Sequence, residues 1–218
     1  MNKYSHVLWD WNGTLLDDVW LCIDIFNGML SKRGKPSINY RKYRDIFDFP
    51  VRVCYERAGF DFSLETFDCA ATEFCDEYAK RVGECKLHEG AKEILDLFAE
   101  SGVCQSILSA TEQTQLEEML SAFGLSAMFE RVVGQSNHYA NGKIQRGKKL
   151  VDSLGISCNY ILLIGDTTHD RFIAEEVGVD SVLVATGHHT REKLQERSAR
   201  VFDNLLDLQS ILKDEELI

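Results

Sequence analysis

Apolar residues along this chain gather into short unbroken runs, each followed by a turn and then by a stretch in which apolar positions recur at helical spacing. The runs are His6–Trp9, Cys104–Leu108, Arg131–Val133, Tyr160–Ile164 and Ser181–Val184. Continuous rather than alternating apolarity marks strands covered on both faces, so these segments predict a mainly parallel sheet with helices on each side. Amphipathic stretches at Ala91–Ala99, Gln115–Ala122, Gly147–Leu154 and Phe172–Val177 supply the helices. Gly102, Gly124, Gly155 and Gly178 follow them, where left-handed helix caps are expected. The fold class that results is α/β, a doubly wound parallel sheet.

The rhythm breaks once. The first run ends at Asp10 and the next begins only at Cys104, far more chain than one crossover needs. Helical patterns fill the gap at Val19–Leu30, Tyr40–Ile46, Val51–Ala58 and Leu64–Val82. We therefore expect a second, smaller, all-helical domain at residues 16–86, inserted into a core formed by 1–15 and 87–218. Its Phe, Tyr and Cys residues at helical spacing read as core packing. Hinges are expected near Leu15–Asp18 and Gly83–Glu89, and the acidic tail Asp214–Ile218 as a frayed end.

Charge narrows the partners. Acidic residues outnumber basic ones 35 to 24, for a net charge of −11, and no Lys/Arg cluster could track a phosphate backbone. Nucleic acid and anionic membrane surfaces are thus disfavoured. No apolar run approaches the roughly 20 residues that span a bilayer, and no signal-peptide core precedes the first strand, so a cytoplasmic setting is expected. The seven cysteines are odd in number, scattered and without a C-x-x-C pair, which suits a reducing compartment and shows no zinc site by spacing.

Candidate chemistry lies where strands end. In open parallel sheets ligands bind beyond the carboxyl ends of the strands, which is where Asp10 falls in the segment His6 to Leu15 and Asp166 and Asp170 fall after Ile161–Ile164. Carboxylates on two strand ends could hold a hard cation such as Mg2+. The alternatives are an acidic loop in which Asp17 or Asp18 caps a helix, and a simple capped turn after Ile164. Ser109, with Ala110 at the following helix, could hold a phosphate through its hydroxyl and backbone N–H groups, while Thr111 reads equally as an N-cap. A basic stretch, Lys143 to Lys149, precedes another helix.

The order Asp-x-x-Gly-Thr, strand-ending Ser, Lys and Gly-Asp-x-x-x-Asp, here Asp10 to Thr14, Ser109, Lys143 and Gly165 to Asp170, resembles the haloacid dehalogenase superfamily. The nearest likeness is to phosphoglycolate phosphatase-like members with a helical cap after the first motif. The resemblance implies a Rossmann-like core and hydrolysis of a small phosphorylated metabolite through an aspartyl-phosphate on Asp10. It implies Mg2+ held by Asp10, the backbone carbonyl of Asn12 and Asp166, with Asp170 supporting the metal shell. Thr14 would steady the first turn beside the substrate, Ser109 would bond the transferring phosphoryl group, and a lysine would neutralise charge. Lys143 lies 23 positions ahead of Asp166 and Lys148 lies 18 ahead; Lys143 is preferred because it falls at the start of its helix. For the substrate's own anion we select Arg52 from the cap arginines Arg33, Arg52 and Arg57.

One position departs from the pattern. Family phosphatases carry Asp where this chain has Asn12, and an amide cannot protonate a leaving alkoxide, a role worth about 10²–10⁴ in rate. Four readings stay open: a slow phosphatase in which water or His169 serves, a substrate whose leaving group departs unprotonated, phosphonate-type bond cleavage, and a catalytically silent binding or regulatory protein. Phosphonate hydrolases also use a cap lysine as a Schiff base, and dehalogenases use no magnesium. A phospho-accepting receiver domain fits poorly, since its acceptor Asp follows the third strand and it has no large insertion.

Overall fold

The structure, a computed structural model, describes residues 3–135, 142–198 and 200–214. The chain opens with strand β1 (His6–Trp9) and a two-residue strand β2 (Leu16–Asp17). Four helices follow: α1 (Val19–Lys32), α2 (Tyr40–Ile46), α3 (Arg52–Ala58) and α4 (Phe67–Arg81). Strand β3 (Lys86–Leu87) returns antiparallel to β2. The remainder alternates: α5 (Ala91–Glu100), β4 (Cys104–Glu112), α6 (Gln113–Ala122), β5 (Arg131–Gln135), α7 (Lys143–Leu154), β6 (Ile161–Gly165), α8 (Thr168–Val177), β7 (Asp180–Val184), α9 (Arg191–Gln195), β8 (Val201–Phe202) and α10 (Leu205–Asp214). The expected tail lies outside the described residues except for Asp214, which ends α10.

Six strands form one parallel sheet in the order β5-β4-β1-β6-β7-β8. Successive side chains of a strand point to opposite faces, and β1 divides accordingly. Val7 and Trp9 join the larger apolar cluster with Ile94 and Phe98, while Leu8 joins Leu108, Leu150, Leu163 and Ile173 on the other face. Both faces are dry, which is why the strand runs are continuously apolar. The four glycines expected to end helices carry φ of 73°, 70°, 65° and 79° at Gly102, Gly124, Gly155 and Gly178. The doubly wound α/β class is therefore the observed one.

The helices between β2 and β3 bury aromatic rings in the same apolar cluster as Val7 and Trp9. The Phe26 ring lies 4.7–5.9 Å from those of Tyr43, Tyr55, Phe60 and Phe74, so the aromatic residues spaced along these helices are packing residues. The helices rest on the sheet's carboxyl edge through side chains of α2 and the segment after it. Tyr43 meets His188, Arg44 donates to the Ala185 and His189 carbonyls, and Phe47 stacks on His188 at 4.6 Å between ring centres.

Candidate active site

Three aspartates and one lysine meet at that edge. Asp10 directly follows β1, its N–H bound to Ile164 O of β6 at 2.9 Å. Asp166 directly follows β6, and β1 and β6 are hydrogen-bonded neighbours, so two strand ends bring two carboxylates side by side. Asp170 reaches the same point from the first turn of α8. There a capping box fixes it: the Thr167 side chain accepts from Asp170 N, and Asp170 Oδ2 accepts from Thr167 N at 3.0 Å and its hydroxyl at 2.6 Å. Lys143, the first residue of α7, sends its Nζ to Asp10 Oδ1 at 2.6 Å and Asp170 Oδ1 at 2.8 Å. All four side chains are buried.

The electrostatics follow from three carboxylates sharing one ammonium. Burial pushes the Asp10 carboxyl up to about 8, against the pull of Lys143. Burial also raises Asp166. It works the same way on Asp170, but Lys143 and the Thr167 donors outweigh it and hold that carboxyl below its usual range. Lys143 itself is raised, its burial overcome by Asp10 and Asp170. Asp170 is thus the carboxylate kept ionised beside the bridging ammonium, while burial favours the protonated form of Asp10 and Asp166.

Buried carboxyls that a cation would deprotonate, and an all-oxygen donor set, fit a hard divalent cation. Ligand oxygens of Asp10, Asp166 and Asp170 all lie within 4.8 Å of one another, and buried carboxylates with no nitrogen or sulfur donor suit Mg2+. Asp166 is aimed by two bonds, accepting from the Thr14 hydroxyl at 2.9 Å on Oδ1 and from His188 N at 2.6 Å on Oδ2. The backbone must come close to allow this. A Cβ at Gly187 would stand 2.0 Å from Asp166 Oδ2, and one at Gly165 would stand 2.4 Å from Asp170 Cγ.

Thr14, expected beside the substrate, is fully buried and serves the carboxylate of Asp166 instead. Ser109 lies on β4, one residue beyond the level of Asp10, where the β4–β5 register shifts between Leu108 and Glu112. Its Oγ accepts from Thr111 N at 3.0 Å within β4, which runs on to Glu112, so Ala110, expected at the following helix, lies inside the strand instead. Thr111 is not the cap of α6; Glu112 is, and the Thr111 hydroxyl donates to Asn12 Oδ1 at 2.5 Å.

Asn12 is the centre of contacts that spacing did not suggest. Its Nδ2 donates to Asp18 Oδ2 and to the Tyr78 hydroxyl, each at 2.8 Å. Tyr78 donates to the same Asp18 oxygen at 2.6 Å, and Asp18 Oδ1 takes Gly13 N at 2.9 Å. Asp18 therefore does not cap α1, where no side-chain cap bond exists; it holds the Asn12–Gly13 turn. His188 completes the set, 3.6 Å from Asp18 Oδ1 and 3.1 Å from the Tyr43 hydroxyl. Burial opposes ionisation of both partners, yet their pairing lowers Asp18 and raises His188.

Arg52 is not brought to the cluster. Its Nε pairs with Glu56 at 2.9 Å and its guanidinium covers the Phe62 ring, as an i,i+4 partner on one helix allows. Arg33 clamps Glu65 and Glu73, and Arg57 pairs with Asp48. Lys148 is exposed on Glu176. His169 lies between Phe49, 4.4 Å away, and Phe172, 6.2 Å away, in a stack. A cleft of about 610 Å³ opens beside it, lined among others by Asp48, Phe49, Lys143, Thr168 and His169. Among the described residues no helix is long and apolar enough to cross a membrane.

Comparison with known proteins agrees with this arrangement. A curated phosphoglycolate phosphatase of Synechococcus elongatus is 26% identical over 192 residues, covering 86% of this chain and 87% of its own. The N-acetylmuramic acid 6-phosphate phosphatase of Pseudomonas aeruginosa is 25% identical, covering 85% and 84%. In fold, a haloacid dehalogenase-like family hydrolase of Streptococcus pneumoniae superposes with a TM-score of 0.82 at 17% identity over 97% of this chain and 100% of its own. A predicted phosphatase from Clostridium acetobutylicum superposes at 0.80 with 22% identity over 96% and 99%. The family profile described as haloacid dehalogenase-like hydrolase matches residues 7–184, a span that runs from the strand carrying Asp10 past the turn carrying Asp166 and Asp170, and the chain belongs to that family.

Proposed function

We propose that this protein is a magnesium-dependent phosphatase that hydrolyses a small phosphomonoester, phosphoglycolate-like in size, through an aspartyl-phosphate on Asp10. The observation that carries the reading is the Lys143 ammonium bridging Asp10 and Asp170 within a buried triad of carboxylates. The curated relatives that act on phosphoglycolate and on N-acetylmuramic acid 6-phosphate support the substrate class. Asp10, Asp166 and Asp170, with the Asn12 carbonyl, would hold the cation, which supplies positive charge to a phosphoryl group that a carboxylate would otherwise repel.

The residues divide the remaining work. Asp10 attacks phosphorus with one carboxylate oxygen as the bond to the leaving oxygen breaks, giving an acyl phosphate that water then hydrolyses. Lys143 opposes the upward push of burial on Asp10, favouring the ionised form that attacks, and offsets charge on the equatorial oxygens. The Ser109 hydroxyl and the Ala110 N–H bind that phosphoryl group. Thr14 and His188 N fix Asp166, and Thr167 fixes Asp170. Residues 16–86 act as a cap domain that closes over the cleft on the hinge strands β2 and β3, excluding water from the first step. Asn12 cannot give a proton, so the leaving group departs with a proton from solvent or unprotonated.

A panel of phosphorylated metabolites assayed with and without Mg2+ tests the reading, with Asp10→Asn as the control. We expect at least one small phosphomonoester to be turned over only with Mg2+, and Asp10→Asn to be inactive. Hydrolysis that persists in Asp10→Asn would refute the assignment.

A further inference from the structure

A second cluster of metal-binding side chains lies at the opposite, amino end of the same sheet, far from the catalytic aspartates. His6 opens β1 and Cys104 opens β4, and the two are paired in register, so their side chains share one face. Glu130 arrives from the segment before β5, its N–H bound to Gln105 O at 2.7 Å. One ligand atom from each, imidazole nitrogen, thiol sulfur and carboxylate oxygen, lies within 4.8 Å of the others. With β1 rising about 3.3 Å per residue, roughly 13 Å of strand separates His6 from Asp10.

From this geometry we infer a binding site for a thiophilic divalent cation of the Zn2+ class, held by His6 Nδ1, Cys104 Sγ and Glu130. The imidazole is the built part of the site. His6 is only 2% exposed, and its Nε2 lies 2.9 Å from the Ser106 hydroxyl on the same face of β4. With Nε2–H given to Ser106 Oγ, Nδ1 presents its lone pair to Cys104 and Glu130, which is how a partner behind the ring orients a metal-ligating histidine. Burial keeps the ring below its usual value, opposed by Glu130, so the neutral form is available to a metal near pH 7.

The other two ligands complete the match. Glu130 Oε2 stands 3.9 Å from Nδ1, outside hydrogen-bond reach, and among the described residues its other ion pair is a 3.9 Å approach to Arg131. Tetrahedral Zn2+ with bonds of about 2.0–2.3 Å needs ligand atoms roughly 3.3–3.8 Å apart, so closing the site takes about an ångström of movement. Cys104 and Glu130 are exposed and free to make it. Nitrogen, sulfur and a single carboxylate favour Zn2+ over Mg2+, the reverse of the catalytic triad. The fourth position is left to water. Binding releases the thiol proton to solvent, and the bound ion ties the amino ends of β1 and β4 to the entry of β5.

Co2+, which reports thiolate ligation through a near-ultraviolet charge-transfer band, is the probe. We expect one equivalent of Co2+ to generate the band in the intact protein and in Asp10→Asn, and Zn2+ to displace it. Cys104→Ser should abolish the band, Cys69→Ser should leave it, and Ser106→Ala should weaken Co2+ binding about 10–100-fold, the range for losing an orienting partner. A band that is absent, that survives in Cys104→Ser, or that disappears in Cys69→Ser would overturn the site. Because Cys104→Ser changes an exposed residue, loss of folding does not confuse the result, and failure here leaves the reading of the Asp10 centre untouched.

Discussion

At the scale of single residues, Asn12 shows how a position can be chemically silent and structurally committed. Its amide donates to Asp18 and Tyr78 and accepts from Thr111, so an aspartate there would face the Asp18 carboxylate at a distance where the amide now donates. Asn12→Asp alone should therefore lower the melting temperature and give little gain in turnover. The exchange Asn12→Asp with Asp18→Asn restores an amide opposite a carboxylate, and the Asn amide can still accept from Gly13 N. We expect the double variant to regain stability over Asn12→Asp and to hydrolyse alkyl phosphates at least about tenfold faster than the parent, the low end of what a positioned acid supplies. Thermal melts and initial rates on one alkyl phosphate decide it; a single variant as stable and as fast as the double would show that Asp18 does not constrain position 12. Asp10, Asp166, Asp170 and Lys143 were legible because each sits at an element's end, where a short motif carries the meaning. Asp18 was not, since an aspartate ahead of a helix reads as a cap, and Arg52 was misplaced because an i,i+4 glutamate outcompetes a distant ligand for it.

At the scale of elements, the strand runs and all four inserted helices were visible in the sequence, Tyr40–Ile46 to the residue. What escaped were the helices α9 and α10 and the two-residue strands β2, β3 and β8, the strands too short to carry a period, with the partners they bring together. His188 and Tyr78 lie far from every motif along the chain, and no spacing could reveal that they enclose Asp18. The same limit hid His6, Cys104 and Glu130, whose proximity is set by strand register rather than by a C-x-x-C pattern. Tyr78 joins α4 to the first loop through two hydrogen bonds, at 2.6 Å and 2.8 Å. Tyr78→Phe leaves a buried carboxylate and an amide each short of one partner, at a cost of about 1–3 kcal/mol. For a chain of this size, each kcal/mol lowers the melting temperature by about 2–4 °C. We expect that loss together with faster amide exchange in residues 15–18 and 83–89, and no change in Tyr160→Phe, whose ring is exposed. Equal effects from the two variants would remove Tyr78 from the contact between α4 and the first loop.

At the scale of the whole molecule, the buried carboxylate cluster stores a conflict that a cation would relieve. Burial raises the Asp10 carboxyl to about 8 and also lifts Asp166. A carboxyl whose folded value exceeds its unfolded one of about 3.9 binds more protons in the native state than in the unfolded state between those two values. Across that window its contribution falls as pH rises. Asp170 and Asp18 are held low, and their contribution is complete above the unfolded value, so they add no slope there. Histidines also shift, His188 upward and His6, His88 and His169 downward, so the informative quantity is the increment that Mg2+ adds at each pH. Mg2+ at 100 times its Kd would stabilise the fold by about 2.7 kcal/mol, but near pH 5 it must displace a proton from Asp10 first. The Mg2+-induced rise in melting temperature should accordingly be small near pH 5 and grow toward pH 8. In Asp10→Asn the metal-free protein should be the more stable at pH 8, because a neutral amide removes the charge that burial penalises. Its Mg2+ increment should be smaller and flatter with pH, since a ligand and a competing proton are gone together. Calorimetric melts at pH 5, 6.5 and 8, with and without Mg2+, measure all of this. An increment that is the same at every pH, or that survives unchanged in Asp10→Asn, would mean that the cation does not bind through Asp10.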